Sequence, residues 1–249
     1  MSAQTCKNCE TLFEGNFCCQ CGQSAHVEKI NAAYFLHDIP HSVFHVDKGF
    51  FYTLKKMFAD PGTALKRYLQ GQRVRHYRPF AYVLLMSTIC ALLIKGINHL
   101  INLRFEKEHP GHALEFGHGL FVKYPSLLIF AMIPLLSLIT WLSFARRPYN
   151  YWEHFLVNTY LAANLNVFLL LISLFQLLRY YTVDSYAVNY VLFMCLFMGY
   201  YGHAFGSLMS DSGRLRNNII IMVFMNFLLA SAYFMAFRYT GIMDAWVVR

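Results

Sequence analysis

The chain has 249 residues, of which 57% are hydrophobic and 14% are charged, and its formal net charge at pH 7 is +8. Soluble domains carry about 25% charged residues, so this composition excludes an ordinary soluble globular protein. The apolar excess predicts an all-α membrane protein. We expect about five transmembrane helices, preceded by a small N-terminal zinc ribbon and by amphipathic interfacial helices.

The N-terminal segment carries two Cys-x-x-Cys motifs. Cys6 and Cys9 form the first pair, and Cys18 and Cys21 form the second. Zinc in a structural site takes four ligands in a tetrahedral arrangement, and two such knuckles supply two thiolates each. We therefore predict one structural Zn²⁺ bound by these four residues, because a cytosolic location argues against disulfides. Cys19 lies in the same loop, and Cys18 is preferred over it because Cys18 keeps the two-residue spacing.

A basic segment, residues 26–79, separates the predicted ribbon (1–25) from the apolar part of the chain. An apolar stripe at helical spacing comprises Phe50, Phe51, Leu54, Met57 and Phe58. Such a stripe beside lysines is typical of a helix that lies in the bilayer surface. Asp60 and Pro61 are expected to begin a second short helix, with Asp60 as its N-cap.

The basic residues of this segment have several interpretations. Those predicted to contact anionic lipid or a partner are Lys55, Lys56, Lys66, Arg67, Arg73, Arg75 and Arg78. Headgroup contact stabilises each such charge by about 1 kcal/mol. Alternatively, the charges only fix the topology. Nucleic-acid binding is a weaker alternative, because the aromatic residues already belong to the apolar stripe.

Four motifs follow one another in the chain. They are Cys-x-x-Cys…Cys-x-x-Cys-Gly-Gln, DKGFFYTLKKMFADPG at 47–62, YLQGQRVRHYRPF at 68–80 and YNYWEH at 149–154. This order resembles a family of uncharacterised bacterial zinc-ribbon membrane proteins, catalogued as a domain of unknown function. The matching positions include Gln23 and Gly71. The resemblance implies the same layout in a bacterium, and it implies no activity.

Five apolar stretches are each long enough to cross a hydrocarbon core about 30 Å thick. They are residues 80–101, 124–144, 155–178, 186–209 and 219–237, within a helical transmembrane domain over 80–249. Lys and Arg collect before the first stretch, which predicts a cytoplasmic N-terminus. The expected location is therefore the bacterial cytoplasmic (inner) membrane, crossed several times. The side on which the C-terminus lies depends on the number of spans.

Polar side chains at membrane depth are functional candidates, because burying them in lipid is costly. Those predicted to form an intramembrane polar seam are Glu153, His154, Asn158, Asn164, His203 and Asn226. Two interpretations are open. The seam could consist of hydrogen bonds between helices, or it could line a polar cavity or conduction path.

We do not expect an enzyme, and no catalytic residue is assigned. The sequence has no Gly-rich phosphate loop, nucleophile elbow or zinc-protease helix, and a four-thiolate zinc site has no open position for water. We expect a non-catalytic integral membrane protein whose cytosolic ribbon is a docking or regulatory platform. Its partners would be membrane lipids, a protein bound at the ribbon and further copies of the chain.

Two alternatives belong to other classes of protein. The first is an oligomeric membrane effector or pore, as an accessory of a phage-defence (CRISPR-associated) locus. The second is a membrane enzyme or lipid carrier that uses Glu153 and His154.

Overall fold

The computed structural model describes residues 3–35, 49–108, 110, 125–144, 149–179, 185–210 and 215–239. Part of the predicted basic segment (36–48), the residues between or at the edges of the predicted spans (109, 111–124, 145–148, 180–184 and 211–214) and residues 240–249 lie outside the described residues. Within these ranges the chain is mostly helical, with a small antiparallel hairpin near the N-terminus.

The N-terminal ribbon consists of two hairpins. β1 (Gln4–Thr5) pairs antiparallel with β2 (Leu12–Phe13), and a bridge between Phe17 and Ser24 closes the second hairpin. Gly22 has φ +74° in the second turn, a conformation that glycine adopts readily. The core of the ribbon comprises Cys6, Phe13 and Cys18, with Cys9, Cys21 and Ala25 packed against it. This core is small, so the cysteines supply much of what the ribbon buries.

Residues 49–78, which we call the collar, contain two short helices. α1 is Phe50–Ala59 and α2 is Pro61–Leu69. Asp60 caps α2, because its Oδ1 accepts a hydrogen bond from the backbone N–H of Thr63 at 3.2 Å, and a proline occupies the first turn. The helix start predicted at Asp60-Pro61 is therefore confirmed.

One face of α1 packs against the interior of the protein. Thr53 and Met57 are fully buried, and the backbone N–H of Tyr77 donates to Thr53 Oγ1 at 2.7 Å. In contrast, Phe51 is 77% exposed and Phe58 is 40% exposed. The predicted apolar stripe is thus divided. The inner part of the stripe, at Met57, contacts protein. The outer part, at Phe51 and Phe58, is exposed and could make the predicted contact with a bilayer surface.

The collar leads into a bundle of longer helices. They are α3 (Pro79–Glu108), α4 (Pro125–Ser143), α5 (Tyr151–Arg179), α6 (Ser185–Leu208) and α7 (Leu215–Tyr239). Each overlaps one of the predicted spans. These helices contain the apolar stretches that give the chain its unusual composition.

Helix length and composition indicate a membrane protein. The helices long and apolar enough to cross a bilayer are α3, α5 over Tyr151–Leu178 and α6 over Val191–Leu208. Shorter apolar stretches occur in α4, at Ile129–Ser143, and in α7, at Arg216–Leu228. The described residues therefore contain three candidate spans where the sequence predicted five, and α4 and α7 contribute only these shorter apolar stretches.

The bundle is arranged around α5. Every residue from 156 to 166 is buried, and α5 packs against α3, α4 and α6. The exposed large apolar residues of α5 begin only at Leu171. A helix buried on all sides has no lipid-facing stripe in that region, so the polar residues on this part of α5 contact protein.

Gly62 lies where α2 crosses α6. A Cβ atom at this position would meet the Cβ of Ser207, and it would lie 2.5 Å from the backbone O of Ala204 and from the backbone N of Leu208. Two of these neighbours are backbone atoms of a packed helix, which cannot rotate away. The close approach of the collar to α6 therefore requires glycine.

Gly62→Ala is expected to destabilise the folded protein by about 1–3 kcal/mol, the usual range for overpacking. Gly96→Ala is the matched control, because no atom lies within 4 Å of a Cβ at that position in α3. Thermal unfolding in detergent micelles measures both variants. Equal melting temperatures for the two would contradict the close packing of α2 on α6.

Candidate metal centre and its attachment to the bundle

The four cysteines of the predicted zinc site lie together. Their Sγ atoms are all within 4.8 Å of one another, with 3.5 Å between Cys6 and Cys21 and 3.5 Å between Cys9 and Cys18. A zinc ion with Zn–S bonds of about 2.3 Å separates its ligand sulfurs by about 3.8 Å. The cysteines are free thiols, since a disulfide needs about 2.05 Å. This donor set fits zinc in both chemistry and spacing.

The structure separates Cys18 from Cys19. Cys18 is 3% exposed and belongs to the cluster, whereas Cys19 is exposed and lies outside it. The preference for Cys18 therefore agrees with the geometry. The remaining cysteines, Cys90 in α3 and Cys195 in α6, lie in the bundle away from the ribbon.

The two sides of the cluster differ in acidity. Hydrogen bonding with the side chain and the backbone of Thr11 lowers the pKa of Cys9 to about 6. Burial raises the pKa of Cys21 to about 11. Metal coordination requires all four groups as thiolates, so binding of a metal at neutral pH releases protons and depends on pH.

Gln23 attaches the ribbon to the collar. Its side chain is 5% exposed, its Nε2 donates to the backbone O of Gly71 at 2.8 Å, and its Oε1 accepts from the backbone N–H of Arg73 at 3.2 Å. The backbone O of Gln23 also accepts from the N–H of Cys18 at 2.8 Å, within the second knuckle. One residue therefore closes the knuckle with its backbone and holds the collar with its amide. We call these two side-chain bonds the Gln23 clamp.

The segment after the ribbon adds aromatic contacts to the clamp. The Arg73 guanidinium lies 5.2 Å from the ring centroid of Tyr34 and 5.4 Å from that of Tyr68, and the two hydroxyls are 2.9 Å apart. Phe35 packs edge-to-face on Phe80 at the start of α3. Cation–π contacts of this kind contribute about 0.5–2 kcal/mol. Arg73 thus stacks within the protein.

The predicted basic residues differ in exposure. Lys55, Arg67 and Arg75 are exposed. Partly buried members of the set are Lys56, Lys66, Arg73 and Arg78. Burial, together with the positive charges of Lys56 and Arg67, lowers the pKa of His76 to about 4. His76 is consequently neutral at pH 7, and the positive potential of the collar comes from its lysines and arginines.

Glu153 has a local structural role. Its Oε2 accepts from the backbone N–H of Asn150 at 2.7 Å, and its own N–H donates to Asn150 Oδ1 at 2.9 Å. This reciprocal pair is a capping box at the start of α5. The spacing Asn-x-x-Glu was visible in the sequence and could have predicted it.

His154 and Asn158 share one partner on α4. Thr140 Oγ1 lies 3.2 Å from His154 Nδ1 and 2.9 Å from Asn158 Nδ2. Each of the three side chains is at most 1% exposed. The prediction did not include Thr140, because a hydroxyl in an apolar run carries little weight in a hydropathy pattern.

Asn164 joins several helices through two tyrosines. Tyr82 of α3 donates to Asn164 Oδ1 at 2.7 Å, and Asn164 Nδ2 donates to the hydroxyl of Tyr200 in α6 at 2.6 Å. That hydroxyl donates to the backbone O of Met57 in α1 at 3.0 Å. The sequence analysis missed both tyrosines, because it counted them as apolar residues of the spans.

The remaining seam residues lie elsewhere. His203 is exposed near the end of α6. Asn226 of α7 is 1% exposed, and its amide has no hydrogen-bond partner within the described part of the chain. The six predicted residues therefore do not form one continuous seam. The contacts join His154 to Asn158, and they join Asn164 to a separate set of tyrosines.

Comparison with known proteins finds a match to part of the chain. A family model described as Protein of unknown function (DUF3667) matches residues 47–90. No curated protein matches the chain, and no solved structure matches it. The matched residues run from the collar into α3, so the region that the Gln23 clamp holds is similar to a domain of unknown function.

Proposed function

We propose that this chain is a non-catalytic, multi-pass membrane protein with a cytosolic docking or regulatory platform made of the ribbon and the collar. The observation that carries the proposal is the Gln23 clamp, because it joins the ribbon to the collar through a buried amide. A ribbon held in this way keeps a fixed orientation on the bundle. A partner bound to it would therefore be positioned relative to the membrane.

The bound metal in this proposal is one structural Zn²⁺. Four thiolates complete its coordination, so the ion would cross-link the two knuckles without an open position for substrate. Supporting residues are Cys6, Cys9, Cys18 and Cys21, whose sulfurs lie within 4.8 Å of one another. Because the ribbon core is small, the metal would supply most of its stability.

The membrane arrangement we propose has five spans with the ribbon in the cytoplasm of a bacterium. Exposed apolar side chains on α4 and α7 support their contact with lipid. They are Phe130, Leu135, Leu138 and Leu142 on α4, and Ile220, Ile221, Phe224, Met225, Phe227 and Leu228 on α7. The exposed cations of the collar support a cytoplasmic position by the excess of positive residues on that side.

The site geometry favours the platform over the enzyme or carrier. Glu153 is engaged in the capping box, and His154 is 1% exposed. To reach these two side chains, a substrate would have to break the capping box of Glu153 and open the packing that buries His154. Likewise, Asn158 and Asn164 use their amides in bonds between helices, which supports packing over a pore.

The platform is tested by purification of cross-linked complexes from native membranes. We compare the parent protein, Cys6→Ser/Cys9→Ser and Cys19→Ser, and identify the bound proteins, lipids and nucleic acids. The proposal expects a specific protein with the parent and Cys19→Ser that is lost with the double variant. Retention of the same protein by the double variant, inserted at the parent level, would argue against the ribbon as the docking element.

Removal of two cysteines is expected to abolish metal binding. Purified parent protein should contain about one zinc per chain, and Cys6→Ser/Cys9→Ser should contain none, because two thiolates do not hold a structural zinc. Elemental analysis measures the ratio. Cys19→Ser is the control and should keep its zinc, since Cys19 lies outside the cluster. Zinc lost from Cys19→Ser would mean that the ligand set is wrong.

Gln23→Ala is expected to release the ribbon without removing its metal. The variant loses both bonds of the clamp and leaves Gly71 O and Arg73 N–H without that partner, a cost of about 1–3 kcal/mol. Hydrogen–deuterium exchange should then accelerate at Arg73, while the zinc content stays at the parent value. Gln20→Ala is the control, because Gln20 accepts a bond from Thr11 within the ribbon. Unchanged exchange at Arg73 in Gln23→Ala would contradict the clamp.

A further inference from the structure

The hydroxyl of Thr140 fixes the hydrogen bonding of His154 and Asn158. Thr140 Oγ1 donates its only proton to the backbone O of Ser137 at 3.1 Å. Its oxygen is therefore the acceptor for the other two contacts, from Asn158 Nδ2 at 2.9 Å and from His154 Nδ1 at 3.2 Å. We assign the imidazole proton to Nδ1, since in this arrangement the single Thr140 proton serves Ser137 and its oxygen accepts from both side chains.

This assignment leaves two acceptors without a donor. A neutral imidazole protonated at Nδ1 has a lone pair on Nε2. The two N–H groups of Asn158 are occupied by Thr140 and by the backbone O of His154 at 2.8 Å, which leaves its Oδ1. Within the described part of the chain, His154 Nε2 and Asn158 Oδ1 are buried and have no hydrogen-bond partner.

A third polar group belongs to the same region. The His154 ring stacks on Phe144, at 6.4 Å between centroids, and on Phe205 of α6, at 5.9 Å. Tyr201 lies one helical turn before Phe205, and Asn158 lies one turn after His154 on α5. Contacts pair His154 with Phe205, Asn164 with Tyr200 and Gln176 with Asn189, so α5 and α6 run antiparallel and these two turns lie at about the same level. The Tyr201 hydroxyl is fully buried and, among the described residues, has no partner.

We propose that His154 Nε2, Asn158 Oδ1 and the Tyr201 hydroxyl form an internal binding site for a water molecule. Water carries two donors for the two acceptors and a lone pair for the tyrosine proton, so it complements all three groups. An ammonium ion has no lone pair for that proton. A buried acceptor without a donor loses the bond it makes with water in the unfolded chain, so occupancy of the site stabilises the fold.

The site also explains why these polar residues lie inside the bundle. Asn158 and His154 hold α5 to α4 through Thr140. The water would extend the same network to α6 through Tyr201. The inference concerns the bundle alone and does not depend on the metal content of the ribbon.

Magic-angle-spinning NMR of histidine-labelled protein in lipid bilayers tests the site. The chain has 11 histidines, and His154 is assigned through its backbone correlations. We expect a proton on Nδ1, none on Nε2, and magnetisation transfer from water to Nε2. A proton on Nε2, or absence of this transfer, would overturn the proposal.

Two asparagine variants distinguish water bound at this site from water that reaches the bundle elsewhere. Asn158→Leu removes one acceptor and should abolish the transfer from water to His154. Asn166→Leu is the matched control, since Asn166 likewise donates to the carbonyl four residues earlier and has an unpartnered Oδ1, but bonds to Ser87 of α3. Transfer should persist in that variant. Undiminished transfer in Asn158→Leu, or a stoichiometric metal in Cys6→Ser/Cys9→Ser protein, would contradict a water site.

Discussion

The buried amide of Gln23 joins the ribbon to the collar. The ribbon has a small core, and the segment that follows it adds aromatic contacts and a hydrogen bond from Asn150 Nδ2 to the backbone O of Ile30 at 3.1 Å. The clamp recognises backbone atoms at Gly71 and Arg73, so it depends on the shape of the turn between α2 and α3. That shape includes a φ of +106° at Gly71, which glycine adopts without strain. The position of the ribbon therefore depends on the fold of the collar.

The collar in turn depends on the bundle. Its helices are held by Thr53 and Met57, which are buried, and by Gly62, which allows close contact with α6. The Tyr200 hydroxyl reaches the backbone of α1, and Asn164 holds that tyrosine from the centre of the bundle. Hydrogen bonds thus run from the interior of the bundle to α1 of the collar. In an apolar environment such bonds have no competition from bulk water, which makes the connection stiff.

Much of this arrangement could be predicted from the sequence. The spacing of the four cysteines predicted their cluster, the Asp60-Pro61 dipeptide predicted the start of α2, and hydropathy predicted where the bundle helices lie. These features depend on local order or on a periodic pattern. The number of spans was less accessible from hydropathy: three of the five predicted spans coincide with helices long and apolar enough to cross a bilayer in the described part of the chain.

The long-range contacts could not be predicted. Gln23 bonds to a residue 48 positions away, and nothing in its neighbourhood specifies that partner. Apolar residues surround Tyr82, Tyr200 and Thr140 in the sequence. No sequence pattern therefore indicated that their hydroxyls take part in hydrogen bonds between helices. Glu153 is the opposite case. Its capping-box partner, Asn150, lies only three positions away, so the motif could be seen in the sequence, yet the catalytic interpretation was kept as an alternative.

The central claim is that one zinc ion is bound by four thiolates in a ribbon that the bundle holds in place. X-ray absorption at the zinc edge of the purified full-length protein tests it most directly. The account predicts four sulfur ligands at about 2.3 Å. A first shell that contains nitrogen or oxygen ligands, or a preparation with no zinc at all, would contradict it.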